Sequence, residues 1–289
     1  MTRLSHRQRL ESALEGLAQS PPVAGVTFVP ADALGGTAGQ GRSPAQILAD
    51  FVEDAELDFA FVPADADWAG DAVRLLRRAG RGAFWAVDGP LWPVLRERGP
   101  GEGLKATAWN PEDLEHALDA HTASAQDLVL AGADMSVDAI VVCDDVAGAA
   151  GPLVSPDFFN EYLVPRYATL VATAAGMGTR AVFHSDGDIR VFMPALARAG
   201  FISVHPGGGV TQEVFEKILG EAKSHGMTLI GGIDSRLLSE GPAVAVRLGT
   251  RAAVMASAGG LIIADDGGMT TSEEVNSFVT ALGSAGVGK

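Results

Sequence analysis

Eight short apolar runs punctuate this chain, at residues 26–29, 57–62, 84–87, 140–143, 181–183, 201–204, 229–233 and 261–263, and most of them stop abruptly in acid or histidine. The stops are Asp65 and Asp67, Asp88-Gly89, Asp144-Asp145, His184-Ser185-Asp186-Gly187-Asp188, His205-Pro206-Gly207, Asp234, and Asp265-Asp266-Gly267. An apolar run without polar alternation predicts a strand covered on both faces, as in a parallel sheet. Polar residues and glycine at its C-terminal end predict a site there, because parallel barrels keep their chemistry at that rim.

Helical patterns fill the intervals, at about residues 68–78, 90–97, 111–131, 155–175, 189–199, 211–225, 242–257 and 272–282. Ser43-Pro44 marks a further helix start, and residues 31–43, rich in Gly, Ala and Thr, predict a mobile loop over the strand ends. An amphipathic helix opens the chain at Ser5, with Leu10, Leu14 and Leu17 on one face and Ser20-Pro21-Pro22 as its stop. Strand and helix alternation with eight strands predicts an α/β fold, a (β/α)8 TIM barrel with an N-terminal amphipathic helix. An open doubly wound sheet is the alternative; no strand leads into a G-x-G-x-x-G turn with a downstream acid or into a G-x-x-x-x-G-K-[ST] loop.

A chain of 289 residues, 47% of them hydrophobic, suits one large core, so a single domain over 1–289 is expected. The net charge of −15 argues against a nucleic-acid partner, which would require clustered Lys and Arg. Cys143 is the one cysteine, so no intramolecular disulfide forms and a reducing cytoplasm is the expected location. The first ten residues carry no apolar run of the signal-peptide kind and no segment approaches the roughly 20 apolar residues of a membrane span. No membrane association is expected, and a homodimer is compatible with this composition.

Each polar stop has a functional and a structural reading. His184 suits a metal ligand or a general acid, and the bland alternative is a ring bonded to neighbouring backbone. Asp186 shares its turn, whereas Asp188 is placed to cap the helix that starts at Ile189. Strand alternation lets only one of Asp144 and Asp145 face a cavity. His205 precedes Pro206-Gly207-Gly208-Gly209, where glycines allow close backbone approach. Asp234 either caps Ser235-Arg236-Leu237-Leu238 and pairs with Arg236, or touches a substrate; Asp265 and Asp266 face the same choice. Cys143 reads as an inert core thiol, Trp85, Trp92 and Trp109 as core or pocket wall, and His6, His116, His121 and His225 as surface helix residues.

Several of these pieces also resemble a known family in order and spacing. They are Arg7-Gln8-Arg9-Leu10-Glu11-Ser12-Ala13-Leu14-Glu15-Gly16, Asp144-Asp145-Val146-Ala147-Gly148, Leu153-Val154-Ser155-Pro156-Asp157-Phe158-Phe159 with Tyr162, Pro165 and Arg166, the turn from His184 to Asp188, and Gly231-Gly232-Ile233-Asp234. Together they resemble the uroporphyrinogen decarboxylase superfamily, more closely its cobamide-dependent methyltransferase-like branch. The resemblance implies a barrel whose cavity admits either a tetrapyrrole or a methyl donor with a corrinoid carrier.

Two departures bear on the activity. Porphyrinogen-processing members place a basic, Met-Arg-Gln-Ala-Gly-Arg-like segment after the first strand, and residues 31–42 here offer one Arg and one Asp, so a polyanionic substrate would add like charge to the rim acids. Zinc-using members carry His-x-Cys and a later Cys; here His184-Ser185-Asp186 and Asp265-Asp266 stand in those places, leaving a nitrogen and oxygen site from His184, Asp186 and Asp265 that could take zinc. The expected reaction moves a methyl group from a small methyl ether or amine to a corrinoid carried by a partner protein. His184, Asp186 and Asp145 would be catalytic, and Asp144, His205, Asp234, Asp265 and Asp266 would line the donor pocket. The alternatives are a metal-free decarboxylase with no cofactor and a non-catalytic barrel that binds a small molecule.

Overall fold

The computed structural model describes residues 4–34 and 41–288. Residues 35–40, part of the loop expected at 31–43, lie outside the described residues. Eight strands form one sheet in chain order: β1 (Gly25–Val26), β2 (Phe59–Pro63), β3 (Gly82–Asp88), β4 (Ala139–Cys143), β5 (Arg180–Ser185), β6 (Ser203–Pro206), β7 (Thr228–Ile233) and β8 (Leu261–Asp265). A parallel bridge from Ala24 to Ile263 links the first strand to the last, and the architecture is the expected α/β (β/α)8 barrel. The chain divides into two compact units, residues 1–84 with 228–289 and residues 85–227.

In the first unit β1 pairs with β2 and β7 with β8, all in parallel register. Gly25 faces Phe59 so closely that a Cβ would overlap the ring, which ties that glycine to the aromatic stack of Phe59, Phe61 and Phe84. The N-terminal helix α1 (His6–Leu14) is fixed at its start by a capping box between Ser5 and Gln8. It ends before Leu17, which is left 58% exposed, because the turn at Glu15-Gly16 stops the helix first.

That helix also buries a charge. Arg9 Nη2 donates to Asp58 Oδ2 at 2.9 Å, and the same carboxylate oxygen accepts the Ala24 N–H at 2.9 Å. His6, read from sequence as a surface residue, places Nδ1 2.8 Å from the other oxygen of Asp58. Asp58 is fully buried, so its solvation is replaced by one guanidinium, one imidazole and one backbone amide.

In the second unit β4 pairs with β5 and β5 with β6, again parallel. Around them pack Phe159, Tyr167, Phe183, Phe192 and Phe201. The expected helix at 111–131 is a 3-10 turn, Pro111–Leu114, followed by Glu115–Asp134, and an additional helix, Pro100–Trp109, precedes it. Gly99-Pro100-Gly101 reads as a break, yet Gly99 turns at φ +81° and Pro100 takes the first helical turn, where its missing N–H costs nothing. Trp109, expected in the core or pocket wall, is 74% exposed on that helix. The expected helix at 155–175 contains a π-helical turn, Phe159–Leu163. Among the described residues, no helix is long and apolar enough to cross a membrane.

Removing one partner of the buried Arg9 and Asp58 pair leaves a desolvated charge behind. Arg9→Met is therefore expected to cost about 3–5 kcal/mol, read as a lower urea midpoint with an unchanged slope; a loss below about 1 kcal/mol would show that the pair is solvated.

Candidate functional site

The site grows from three adjacent strand ends. Register sets Cys143 beside His184 and His184 beside His205, so β4, β5 and β6 finish level with one another. The chain then leaves each strand through a polar turn.

After β4, alternation sends the two aspartates different ways. Asp144 turns into the protein and is buried. Its carboxylate accepts the Leu91 N–H at 3.0 Å, the Trp92 N–H at 2.6 Å and the Tyr167 hydroxyl at 2.9 Å. Burial pushes its pKa up to about 7, although those donors pull the other way. Asp145 is half-buried, and its Oδ1 accepts the Asp186 N–H at 2.9 Å.

After β5, Ser185 ties the turn to its neighbour: its Oγ accepts the Val146 N–H at 3.0 Å and donates to the Asp186 carbonyl at 2.9 Å. Gly187 adopts φ +84° and lies against the Gly148 backbone, where a Cβ would overlap it. After β6, Gly207 donates to the Ser185 carbonyl at 3.1 Å. A Cβ on Gly207 would overlap Asp186 Oδ1 and crowd His184 Cε1, so glycine is what leaves room for those two side chains.

One ligand atom from each of Asp145, His184 and Asp186 lies within 4.8 Å of the others, with all three residues half-buried. Among the described residues this is the one group of three or more His, Cys, Asp or Glu so arranged. Two carboxylates and an imidazole are a donor set for a borderline divalent cation with three protein ligands. Burial lowers the His184 pKa to about 4, opposed in part by its hydrogen bond to the His205 backbone, so the ring is neutral at pH 7 and has a lone pair to offer. That neutrality suits a ligand and does not suit the general acid that the sequence also allowed. Cys143 is outside the group, and burial with three nearby aspartates pushes its thiol up, away from the thiolate a metal needs.

The other candidates are placed elsewhere. Asp265 is buried and accepts the Thr27 N–H at 2.8 Å, the Thr27 hydroxyl at 2.6 Å and the Gly267 N–H at 2.9 Å; burial raises its pKa to about 6. It is not a member of the ligand group, because its carboxylate clamps the residue that follows β1 to the end of β8. Asp234 caps the short helix Ser235–Leu238 through the Arg236 N–H at 3.0 Å and pairs with that guanidinium at 2.8 Å. Asp266 accepts the Gly268 N–H at 3.2 Å, and burial raises its pKa. Asp188 grips the Arg190 side chain with both oxygens and accepts its N–H at 3.2 Å, and Arg190 lowers its pKa. His205 is buried with Nδ1 2.8 Å from His184 Nδ1. Ser185 and Tyr167 were not singled out in the sequence, and a lone hydroxyl beside acids carries no pattern that would mark it.

A parallel barrel that gathers an imidazole and two carboxylates at its C-terminal strand ends belongs to the enzyme-bearing class of this fold. The chain is a member of the uroporphyrinogen decarboxylase family, since the family profile described as "Uroporphyrinogen decarboxylase (URO-D)" matches residues 95–280. No curated protein sequence matches it. Among solved structures it is similar to a methyltransferase from Methanosarcina mazei, with 17% identity, 98% of each chain covered and a TM-score of 0.72. It is also similar to D-psicose 3-epimerase in the presence of D-fructose, with 11% identity, 90% of this chain and 97% of that chain covered and a TM-score of 0.55. At these identities the likeness is one of fold.

The raised pKa of Asp144 means that the folded state holds its proton more tightly than the unfolded chain does. Its contribution is therefore complete below about pH 4 and is lost as pH rises through about 7. Asp144→Asn keeps one carbonyl acceptor for three donors and is expected to cost about 1–3 kcal/mol at pH 5. The deficit relative to the parent should shrink between pH 5 and 8 in urea unfolding, and a deficit that grows with pH would contradict this assignment.

Proposed function

We propose that this member of the family is a methyltransferase that takes a methyl group from a small methyl ether or amine and passes it to a corrinoid held by a partner protein. The observation that carries the reading is the convergence of Asp145, His184 and Asp186. The full-length likeness to a methyltransferase fold supports it.

In this reading Asp145 and Asp186 supply the anionic ligands and His184 the neutral nitrogen for a divalent cation such as zinc. When bound, the cation supplies Lewis acidity toward the oxygen or nitrogen that loses its methyl group. The protein residues do the rest. Asp145 holds the Asp186 backbone in place, Ser185 braces the turn against Val146, and Gly207 keeps the space over Asp186 and His184 clear. A site without thiolate ligands favours oxygen and nitrogen partners over a thiol.

The test is metal analysis of protein purified without chelator, paired with methylation of cob(I)alamin across a panel of methyl ethers and methylamines. Near-stoichiometric metal in the parent, lost in His184→Ala, with methylcobalamin formed by the parent alone, is the expected result. Absence of both metal and methyl transfer would overturn the reading in favour of a metal-free decarboxylase or a binding protein.

A second variant probes the geometry rather than the ligands. Gly207→Ala should retain the parent's melting behaviour while binding zinc about 10–100-fold more weakly, because its methyl group displaces Asp186. Isothermal titration with zinc gives the comparison, and unchanged affinity would show that Asp186 is not a ligand.

A further inference from the structure

We propose that the cavity between helix Leu91–Arg98 and helix Glu115–Asp134 is a second ligand site, and that it takes a small zwitterion of the amino-acid class, with an ammonium, a carboxylate and an apolar side chain. The cavity measures about 280 Å³. Its walls follow from helical spacing. Pro93, Arg96 and Glu97 stand at i, i+3 and i+4 on the first helix, and His121, Ser124, Ala125 and Leu128 at i, i+3, i+4 and i+7 on the second, so each wall is one helical stripe. Asp88, the last residue of β3, closes one side.

Stripes that face each other between packed helices normally interdigitate and leave few voids larger than a water molecule. Here both walls are fixed from outside the cavity. Asp144 accepts the Leu91 and Trp92 N–H groups at 3.0 and 2.6 Å, which holds the start of the first helix. Trp85 Nε1 donates to the Leu128 carbonyl at 3.0 Å, and Gly132 lies so close to the Trp85 ring that a Cβ would overlap it, which holds the second helix against β3. The cavity is therefore preformed, at the small end of the roughly 300–1,000 Å³ common for ligand pockets.

The lining selects by charge. Arg96 pairs closely with Asp88, and His121 Nε2 lies 3.2 Å from Glu97 Oε1. A simple anion bound at Arg96 meets two carboxylates, and a simple cation bound at Glu97 meets the guanidinium, so neither sign is favoured alone. A zwitterion is attracted at both ends. A guanidinium has five N–H donors, more than one carboxylate can take, and a carboxylate accepts several bonds, so both pairs can persist while Arg96 binds the ligand carboxylate and Glu97 its ammonium. Arg96, Glu97 and Ser124 are exposed at the mouth, whereas Ala125 is buried and Pro93 and Leu128 are half-buried, a surface that suits the ligand's apolar part. No lining residue belongs to the group of Asp145, His184 and Asp186, so occupation of this cavity does not depend on the metal-assisted reading.

The test is isothermal titration of the full chain with L-leucine, L-methionine and L-phenylalanine, and with the amide and the desamino acid of each, which lack one of the two charges. At least one of the amino acids is expected to bind with a Kd of about 1 mM or tighter, and its amide and desamino acid about tenfold or more weakly. Arg96→Met and Glu97→Gln, at exposed positions, should melt like the parent and each weaken binding about tenfold. Ser124→Trp, which fills the mouth, should abolish binding, and His184→Ala should bind like the parent. Absence of binding by all three amino acids, analogues that bind as tightly as the amino acid, or unchanged affinity in both Arg96→Met and Glu97→Gln overturns the site. Binding that survives Ser124→Trp and is lost in His184→Ala places the amino acid at the strand-end group instead and overturns it as well.

Discussion

Strand register is the constraint on which the site depends. Cys143, His184 and His205 stand side by side on β4, β5 and β6, so the residues that follow them emerge at one level. Side chains alternate with period two, and a slip of one residue on β5 would send His184 to the opposite face and bring Phe183 or Ser185 into its place. Register is held by what lies on each side of it. Below the rim, Phe183 packs edge-on against Tyr167 and Phe201. At the rim, Ser185 is bonded to Val146 and Gly207 to Ser185, which ties the turns after the three strands to one another.

Carboxylates at strand boundaries divide into two kinds according to what surrounds them. Asp58, Asp144 and Asp265 are fully buried, and each accepts at least one backbone N–H from a neighbouring segment. Desolving an anion is expensive, and these three are tolerated because amides, hydroxyls or a guanidinium replace the lost water. Their effect is to pin one segment to the next. Asp145 and Asp186 stand in the half-buried rim, and together with His184 they point ligand atoms toward a common space. Adjacent residues Asp144 and Asp145 show that the distinction is one of alternation, since the pair differs by one step along the chain.

Much of this was legible in the residues. Eight apolar runs with polar stops imply eight strands, and the barrel follows from their number and from the helices between them. The ligand group was half legible: His184 and Asp186 share one turn and could be read together, whereas the third position was read as Asp265, with Asp145 read as catalytic, and the structure groups Asp145 with them instead. Choosing between them requires knowing that Thr27 approaches Asp265 with both an N–H and a hydroxyl, a contact 238 positions away in sequence. The same limit applies to His6 and Arg9, whose helix reads as amphipathic while its polar face meets Asp58, 49 residues beyond Arg9. Helix Pro100–Trp109 was missed for a local reason, because glycine and proline mark a break and a helix start with the same letters.

The chemistry open to the rim follows from charge. Two carboxylate groups whose ligand atoms lie within 4.8 Å of one another set oxygen lone pairs against each other with no cation in the group. Arg190, the cation two residues beyond Asp188, is held by both oxygens of that residue and so neutralises the end of the turn. A neutral His184 adds a lone pair and no positive charge. The group therefore gains most from a ligand that brings concentrated positive charge, which a divalent cation does and an anionic substrate does not. A polycarboxylate such as a porphyrinogen would meet like charge at this rim.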